Sequence, residues 1–360
     1  MTLTAPSSAA IAPDFWNGRR VLLTGHTGFK GAWLCLWLET LGARVTALAL
    51  PPPTTPALVE VLAPWPGQTH RTGDIRDPAA VRRAFDEADP EIVLHLAAQA
   101  LVRASYADPV ETYASNVMGT VNVLEAARSR PGLRAVLVVT SDKVYENPGL
   151  RTPFAEDARL GGKDPYSNSK ACCELVAASY RASFFRTGAK VAAARAGNVI
   201  GGGDWALDRL IPDVVRAVDS GQPVQLRNPG SVRPWQHVLE PLSGYLAYAR
   251  RLVEAPAGLP DALNFGPDPE SFRTVAEVVD VISRHFGGRP GWQKDEGEHP
   301  PEAPVLTLTS ELAGRTLNWR PRLSIETALE WTAAWYAAHR AGAAMRPITL
   351  EQIRRFQNLR

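Results

Sequence analysis

Short apolar runs alternate with longer amphipathic stretches through the first half of the chain. The short runs are rich in valine, leucine and alanine and lack strict polar alternation, which is typical of strands buried on both faces of a parallel sheet. The longer stretches have the apolar spacing of helices. We predict strands at 20–24, 44–50, 69–74, 92–97, 135–141 and 190–196, and helices at 31–41, 78–88, 109–129 and 165–186.

This order of elements predicts an α/β fold. Strands that alternate with helices are joined by right-handed crossovers and form a Rossmann-like, doubly wound parallel sheet. After residue 198 glycine and proline become frequent, as in GGGDW and RNPGSVRP, which indicates a smaller mixed C-terminal lobe. Late in the chain, Ser324 is a candidate N-cap for a helix with apolar residues from Ile325 to Tyr336.

We divide the chain accordingly. The predicted parts are a flexible extension at 1–14, a dinucleotide-binding domain at 15–197 (completed by a segment near 235–255), a substrate-binding lobe formed mainly by 198–345, and a C-terminal tail at 346–360.

Composition excludes several classes of partner. The 39 basic and 37 acidic residues give a net charge of +2, so no global field favours nucleic acid or an anionic membrane. No apolar run reaches the ~18–20 residues that cross a bilayer. The three cysteines, Cys35, Cys172 and Cys173, suit neither a disulfide framework nor a metal site. We therefore expect a cytoplasmic protein without a metal.

The segment GHTGFKG at 25–31 follows a predicted strand and opens a predicted helix. Glycines at such a turn let the backbone approach a pyrophosphate, whose charge is favoured by the helix N-terminus. The spacing is GxxGxxG, and its position between strand and helix makes it a strong dinucleotide signal. Gly73-Asp74-Ile75 ends the third strand, where Asp74 either accepts a hydrogen bond from adenine beside Ile75 or caps a helix.

A third motif carries proton chemistry. Ser141 ends the fifth strand, and Tyr166 and Lys170 are spaced i and i+4, on one face of a helix. A neighbouring ammonium lowers the pKa of a phenol from its ordinary ~10, and a serine hydroxyl orients it toward a substrate carbinol. Together with the glycine loop, this arrangement predicts a proton-abstracting unit beside a hydride acceptor.

Six motifs in order, GHTGFKG, HLAAQALVRASY, ETYASNVMGT, VTSDKVYEN, DPYSNSK and RPWQHV, resemble the nucleotide-sugar dehydratases of the extended short-chain dehydrogenase/reductases. The similarity extends from residue 15 to about residue 335. The resemblance implies NAD as cofactor, a nucleotide sugar as substrate with CDP-glucose favoured, and a homodimer or dimer of dimers paired through helices 109–129 and 165–186. No residue in the sequence indicates by its chemistry which nucleotide base is bound.

The resemblance also implies catalytic roles. Tyr166, helped by Lys170 and Ser141, would take the proton of the glucose 4-hydroxyl. Relatives carry Asp-Glu after the strand-end hydroxyl residue, whereas this chain has Asp142-Lys143. Asp142 would protonate the C6 hydroxyl, and Lys143 would act as the base at C5 once it loses its proton. Alternatively, Lys143 only holds Asp142 or a phosphate.

The remaining site residues follow from the same resemblance. The substrate is expected to contact Gln99, Asn198, Ile211 and Arg233, with Arg233 on the pyrophosphate. The cofactor is expected to contact Gly25, His26, Thr27, Gly28, Phe29, Lys30, Gly31, Asp74, Ile75, Leu96, Ala97, Ala98, Gln99, Asn116, Thr140, Tyr166 and Lys170.

Three alternatives stay open on the residues alone. The second strand ends in Ala49-Leu50-Pro51 without the acidic residue that selects NAD, and Lys30 is compatible with the 2′-phosphate of NADP. A nucleotide-sugar 4-epimerase or 4-reductase would use the same Ser141–Tyr166–Lys170 unit, although it has no need of an acid at C6. A protein that only senses NAD(P) is a third class, disfavoured because this chain keeps both Tyr166 and Lys170.

Overall fold

Seven parallel strands form the central sheet in the computed structural model, which describes residues 12–149, 152–288, 291–299 and 303–359. Their spatial order is seventh, sixth, fifth, fourth, first, second, third. The doubly wound α/β prediction and all six predicted strands are confirmed. The strands are Arg20–Thr24, Arg44–Ala49, Thr69–Thr72, Ile92–His95, Ala135–Val139, Lys190–Ala196 and Ala262–Phe265.

The sheet separates two layers of helices because its central strands are apolar on both faces. Ile92–His95 and Ala135–Val139 are buried along their whole length. One face packs on a large core that includes helices Phe29–Thr40, Leu239–Glu254, Ile325–Arg340 and Met345–Gln357. The other face packs on helices Pro78–Ala88, Gly119–Arg128 and Pro165–Phe184.

The predicted helix at 109–129 contains an irregular turn. It consists of Pro109–Tyr113, a π-helical turn at Ala114–Met118, and Gly119–Arg128. Asp108 caps its start by accepting from the backbone N–H of Glu111. Such π turns frequently occur at functional sites, and this one carries Asn116.

The second half of the chain is more broken, as its glycine and proline content predicts. Its short strands pair two by two, Val199–Ile200 with Gln236–His237, Val224–Leu226 with Trp292–Lys294, and Val232–Pro234 with Phe272–Thr274.

The remaining α-helices of the described residues come from both halves of the chain. They are Pro13–Trp16, Leu58–Val61, Val102–Ala107, Leu210–Ser220, Val275–His285 and Glu311–Leu317.

The two ends of the chain and the seventh strand add detail to the predicted division. Residues 1–11 of the predicted extension lie outside the described residues. Ala262–Phe265 lies within the segment assigned mainly to the lobe, yet it pairs with the sixth strand of the central sheet. The segment expected as a tail forms the helix Met345–Gln357. The helix capped by Ser324 is confirmed as Ile325–Arg340, with the cap accepting from Thr327 N–H.

A buried carboxyl group lies at the start of the helix Leu239–Glu254. Glu240 is 1% exposed, and its Oε1 accepts from the backbone N–H groups of Arg322 and Leu323 at 2.8 and 2.7 Å. Its Oε2 has no hydrogen-bond partner among the described residues. Burial raises the pKa of Glu240 to about 8, because the ionised form has lost its hydration.

This carboxyl should make stability depend on pH. Because the pKa of Glu240 is higher in the folded than in the unfolded state, the protonated carboxyl contributes its full stability below about pH 4.5. That contribution is lost as the pH rises from there through about 8. As the pH rises from 6 to 9, the free energy of unfolding of Glu240→Gln should increase by about 2–3 kcal/mol relative to that of the unmodified protein, at ~1.4 kcal/mol per pKa unit. Urea unfolding at both pH values measures the difference. Stability curves that stay parallel would contradict the assignment.

Candidate active site

A cleft of about 1300 Å³ opens beside the carboxyl ends of the strands. In doubly wound sheets, ligands bind where the strand order reverses. Here the first and fourth strands are neighbours, and the chain departs from them in opposite directions. Residues of the glycine loop line one part of this cleft, and residues from the second half of the chain line the other.

The glycine loop has the close packing that a bound pyrophosphate requires. Gly25 has φ +85°, and a Cβ there would lie 2.7 Å from the backbone nitrogen of Ala97. A Cβ on Gly31 would collide with the carbonyl oxygen of Gly25. Gly28 is the N-cap residue of helix Phe29–Thr40, so the helix N-terminus faces the cleft. The loop thus fits the pyrophosphate of a dinucleotide.

Asp74 and Ile75, predicted to contact the adenine, line the cleft. Arg76 donates to Asp74 from Nε at 2.8 Å and also pairs with Glu111. The side chain that caps the following helix belongs to Asp77, which accepts from Ala79 N–H at 2.8 Å. The helix-capping alternative for Asp74 is therefore wrong, and Asp74 lines the cleft.

Lys30 points toward the catalytic end of the cleft. Its Nζ donates to the buried Tyr245 hydroxyl at 3.4 Å. Burial, together with the charges of Arg209 and Lys170, lowers the pKa of Lys30 to about 7. With its ammonium engaged there, Lys30 is not positioned as a partner for a 2′-phosphate.

Two residues predicted to contact the cofactor are absent from the cleft wall. His26 is buried against His70, and burial lowers its pKa to about 4. Asn116 is buried behind the loop after the fourth strand. Its Oδ1 accepts from the Gln99 N–H at 2.8 Å, and its Nδ2 donates to Ser169 at 2.8 Å. Asn116 therefore ties the loop after the fourth strand to the helix that carries Tyr166.

Gln99 lines the cleft, but its amide group is bound within the protein. Its Oε1 accepts from the Leu101 N–H at 2.6 Å, and its Nε2 donates to the Thr112 hydroxyl at 2.9 Å. These bonds shape the loop that follows the fourth strand. The side chain thus acts on a bound ligand mainly by fixing the backbone beside it.

The strand-end motif forms a compact acid–base cluster. Ser141 is the N-cap residue of the 3₁₀ turn Asp142–Val144. Its hydroxyl donates to Asp142 Oδ1 at 3.0 Å, and Lys143 Nζ donates to this Oδ1 at 3.3 Å. Asp142 is 1% exposed, and its Oδ2 has no partner among the described residues. A Cβ on Gly197 would lie 2.9 Å from Oδ2, so glycine leaves room for this carboxylate.

Tyr166 and Lys170 lie on the helix Pro165–Phe184, which Asp164 caps by accepting from the Ser167 N–H. Burial raises the pKa of Tyr166 to about 12, and the Ser141 hydroxyl and Arg209 guanidinium oppose that rise. Lys170 Nζ donates instead to the Val139 carbonyl at 3.0 Å. The prediction that Lys170 lowers the pKa of Tyr166 below its ordinary value is therefore wrong.

A buried polar network supports the cluster from behind. Thr140 donates to Glu174 at 2.7 Å, and Glu174 accepts from Arg195 Nε at 2.8 Å. Arg195 also donates to the Tyr145 hydroxyl at 2.7 Å, which in turn donates to Asn264 at 2.6 Å. Because every link is buried, the network fixes the backbone on both sides of Ser141.

Asn198, Ile211 and Arg233, which the resemblance assigns to the substrate, also line the cleft. Asn198 Oδ1 is buried without a hydrogen-bond partner among the described residues, as expected for an acceptor awaiting a ligand. Arg233 is buried in the strand Val232–Pro234 and donates to the Val232 carbonyl at 2.9 Å. Arg209 pairs with Asp204 at 2.8 Å on the same side.

The structure brings nearly all predicted site residues to one cleft. Only His26 and Asn116 are not on its wall. Sequence reasoning missed Arg209, whose charge acts on both Tyr166 and Lys30. Lys30, Lys143 and Lys170 line the cleft with Asp142, and their side chains offer donors to anionic ligands.

This combination of fold and site defines an extended short-chain dehydrogenase/reductase, with a glycine loop at the switch point and a tyrosine–lysine pair beside a strand-end serine. The chain belongs to the NAD dependent epimerase/dehydratase family, whose model matches residues 21–266. The predicted family and its cofactor, NAD, are confirmed.

Known proteins similar to this chain agree with that membership. This chain is 47% identical over 341 residues to the CDP-glucose 4,6-dehydratase of Salmonella typhimurium, and the similarity covers 93% of this chain and 95% of the relative. A dTDP-glucose 4,6-dehydratase of Streptomyces venezuelae, solved with NAD bound, is 25% identical with a TM-score of 0.78, covering 91% and 99%. An epimerase of Methanothermobacter thermautotrophicus shares the fold, with a TM-score of 0.82, 24% identity and coverage of 92% and 96%.

Two features are absent from the ranges that the structure describes. None of the helices in these ranges is long and apolar enough to cross a membrane. Within the same ranges, no group of three or more histidine, cysteine, aspartate or glutamate side chains is arranged to hold a metal ion.

Proposed function

We propose that the protein catalyses the NAD-dependent dehydration of CDP-glucose to CDP-4-keto-6-deoxyglucose. The observation that carries this proposal is the pair Asp142–Lys143, an acid and a potential base held 3.3 Å apart beside Tyr166. An elimination across C5 and C6 needs both groups, in addition to the unit that oxidises C4. The CDP handle rests on the Salmonella relative alone.

Each side chain has one task in this reaction. Tyr166, which lines the cleft together with Ser141, takes the proton of the C4 hydroxyl. Lys143 takes the C5 proton, which the neighbouring ketone has made acidic, and later returns it. Asp142 gives a proton to the C6 oxygen, which leaves as water. When bound, NAD supplies the chemistry that removes the hydride at C4 and delivers it to C6.

Other residues bind the two nucleotides. Gly25, Gly28 and Gly31 would hold the cofactor pyrophosphate, and Asp74 with Ile75 would hold its adenine. Arg233 is suited to the substrate pyrophosphate, because a guanidinium donates two parallel hydrogen bonds to phosphate oxygens. Asn198 offers its free acceptor to the same ligand. We place the reaction in the cytoplasm, in keeping with three free cysteines.

Product analysis tests the proposal. Purified protein is incubated with NAD and CDP-, dTDP-, UDP- or GDP-glucose, and the products are analysed by mass spectrometry. We expect CDP-glucose to lose one water and the other sugars to remain intact. An isomer or a reduced product in place of dehydration would favour the epimerase or reductase, and dehydration of another nucleotide sugar would refute the CDP assignment.

We further propose that the protein forms a dimer through two helical segments, 109–129 and 165–186. Five of the nine exposed large apolar side chains among the described residues lie there: Val110, Tyr113, Met118, Leu175 and Phe184. The Tyr113 hydroxyl donates to Asn168 at 2.8 Å, which joins the two segments into one surface. An apolar surface of this kind marks an interface.

This dimer predicts a specific dissociation. Leu175→Glu places a charge on the proposed interface, so we expect the variant to be monomeric at concentrations where the unmodified protein is dimeric. Light scattering after size exclusion measures the mass. Leu207→Glu is the matched control, because Leu207 is 65% exposed and lies on neither segment. Equal masses for both variants would contradict the interface.

A further inference from the structure

An ion pair joins two segments of the cleft wall that are distant in the sequence. Arg103 lies on the helix Val102–Ala107, which follows the fourth strand, and Asp208 lies just before the helix Leu210–Ser220. Arg103 Nη1 donates to Asp208 Oδ1 at 2.7 Å, and both residues line the cleft. Their side chains are 45% and 36% exposed, so the pair lies where the cleft meets solvent.

The backbone of Asp208 adopts a conformation that favours glycine. Its φ is +60°, in the left-handed region. Asp89 and Asn318 also have positive φ, but each of them ends a helix, where this conformation is common. Asp208 precedes a helix and has no such reason. Strain of this kind often accompanies function, so the carboxylate at this position points to a use for its charge.

A second cation holds the carboxylate of Asp208 from the other direction along the chain. Arg227 directly follows the strand Val224–Leu226, and its Nη1 lies 3.7 Å from Asp208 Oδ1. Arg227 also lines the cleft. Because Arg227 comes from the same half of the chain as Asp208, it holds the carboxylate in place, whereas Arg103 links that carboxylate to the first half.

The proposed dehydration requires the sugar to stay bound between two steps, and the present inference rests on that proposed function. The hydride is removed at C4 and returns only at C6. A 4-ketone that escaped in between would leave the cofactor reduced, and the enzyme could not begin another turnover with it. Closure of a site around its substrate is a common way to prevent such escape.

We propose that Arg103 and Asp208 form a latch that retains the nucleotide sugar in the cleft until the hydride has returned to C6. The latch opens for entry of the substrate and for release of the product. An ion pair of this exposure changes an equilibrium by only about two- to fivefold. It therefore slows the escape of the ketone without trapping the product.

The dissociation rate of CDP-glucose tests the latch directly. The Tyr166→Phe background with NAD bound is expected to bind the sugar without oxidising it, and rapid dilution then gives the rate. Tryptophan fluorescence reports the release, because Trp235 lines the cleft. We expect Arg103→Gln and Asp208→Asn each to dissociate about two- to fivefold faster. The double variant should be no faster than either, because all three lack the same bond.

Two further variants separate the latch from general effects of substitution. Glu87→Gln breaks an ion pair with Arg71 that is 55% and 37% exposed and lies outside the cleft, so the dissociation rate should not change. Asp208→Gly removes the carboxylate but suits a φ of +60° better than aspartate does. It should therefore speed dissociation as Asp208→Asn does, while the free energy of unfolding in urea does not fall.

Turnover provides a second measurement in the enzyme that keeps Tyr166. With NAD and CDP-glucose, Asp208→Asn should release more CDP-4-ketoglucose, which has lost two hydrogens but no water, than the unmodified enzyme does. Mass spectrometry detects this ketone, and nicotinamide absorbance should accumulate in parallel because the escaped sugar cannot take its hydride back.

The opposite results are equally clear. Equal dissociation rates in the unmodified protein and the latch variants would refute the latch while the proposed dehydration stands. Additive effects in the double variant would show that Arg103 and Asp208 act separately, which also refutes it. If the unmodified enzyme does not dehydrate CDP-glucose, the proposed function fails, and the retaining role of the latch fails with it.

Discussion

Replacing Lys143 with methionine is expected to lower the rate of dehydration by about 10²–10⁴, the usual contribution of a general base. Oxidation at C4 should persist, because Tyr166 and Ser141 are unchanged. The nicotinamide absorbance that accompanies this oxidation would then appear on mixing with CDP-glucose, while mass spectrometry would find no loss of water. In D2O, the variant should also fail to exchange the C5 hydrogen.

The arginine variant separates the two roles considered for Lys143. A guanidinium keeps the positive charge near Asp142 but does not release a proton at neutral pH. If Lys143 is the C5 base, Lys143→Arg should be as slow as the methionine variant. If Lys143 only holds Asp142 or a phosphate, arginine should restore most of the rate. Lys294→Met serves as the control, because Lys294 is exposed and pairs with Glu296.

The fold was largely predictable because its signals are local. Buried parallel strands leave continuous apolar runs, and strand–helix alternation limits the possible topologies. The seventh strand, Ala262–Phe265, was missed because four residues in a glycine- and proline-rich stretch carry no periodicity. Its place in the sheet depends on pairing with a sixth strand that lies more than 60 residues earlier in the chain.

The site was predictable as a set of residues but less so as a set of contacts. The glycine loop and the tyrosine–lysine spacing identify positions, and most of those positions line the cleft. Spacing does not reveal the direction of a long side chain, so the approach of Lys30 to Tyr245 could not be foreseen. Spacing also does not reveal which polar groups already have partners within the protein. The Gln99 amide, for example, is hydrogen-bonded to Leu101 and Thr112.

Arg209 was invisible to sequence reasoning for a related reason. It lies directly before the helix Leu210–Ser220 and belongs to no motif, and its importance arises only when the fold brings it close to Tyr166. The pKa of that tyrosine is raised by burial and by Asp142, and it is lowered by Ser141 and Arg209. The catalytic base therefore depends on residues about 25 and 43 positions away along the chain, which a local motif cannot encode.

The second large effect concerns Tyr166 itself. Tyr166→Phe removes the group that takes the C4 hydroxyl proton and should lower the rate of C4 oxidation by about 10²–10⁴. Unlike the Lys143 variants, it should produce neither the nicotinamide absorbance nor exchange at C5, because no ketone forms to make that proton acidic. Tyr180→Phe is the matched control, since Tyr180 lies on the same helix and its hydroxyl donates to the exposed Glu125 at 3.3 Å.

The pH dependence of the same step provides an independent check. Burial raises the pKa of Tyr166 to about 12, and the reactive form is the phenolate. The rate of C4 oxidation should therefore increase as pH rises toward the pKa that Tyr166 has in the complex. Removing the nearby cation in Arg209→Gln should raise that pKa and move the profile to higher pH. A profile that does not move would exclude Arg209 from the control of this base.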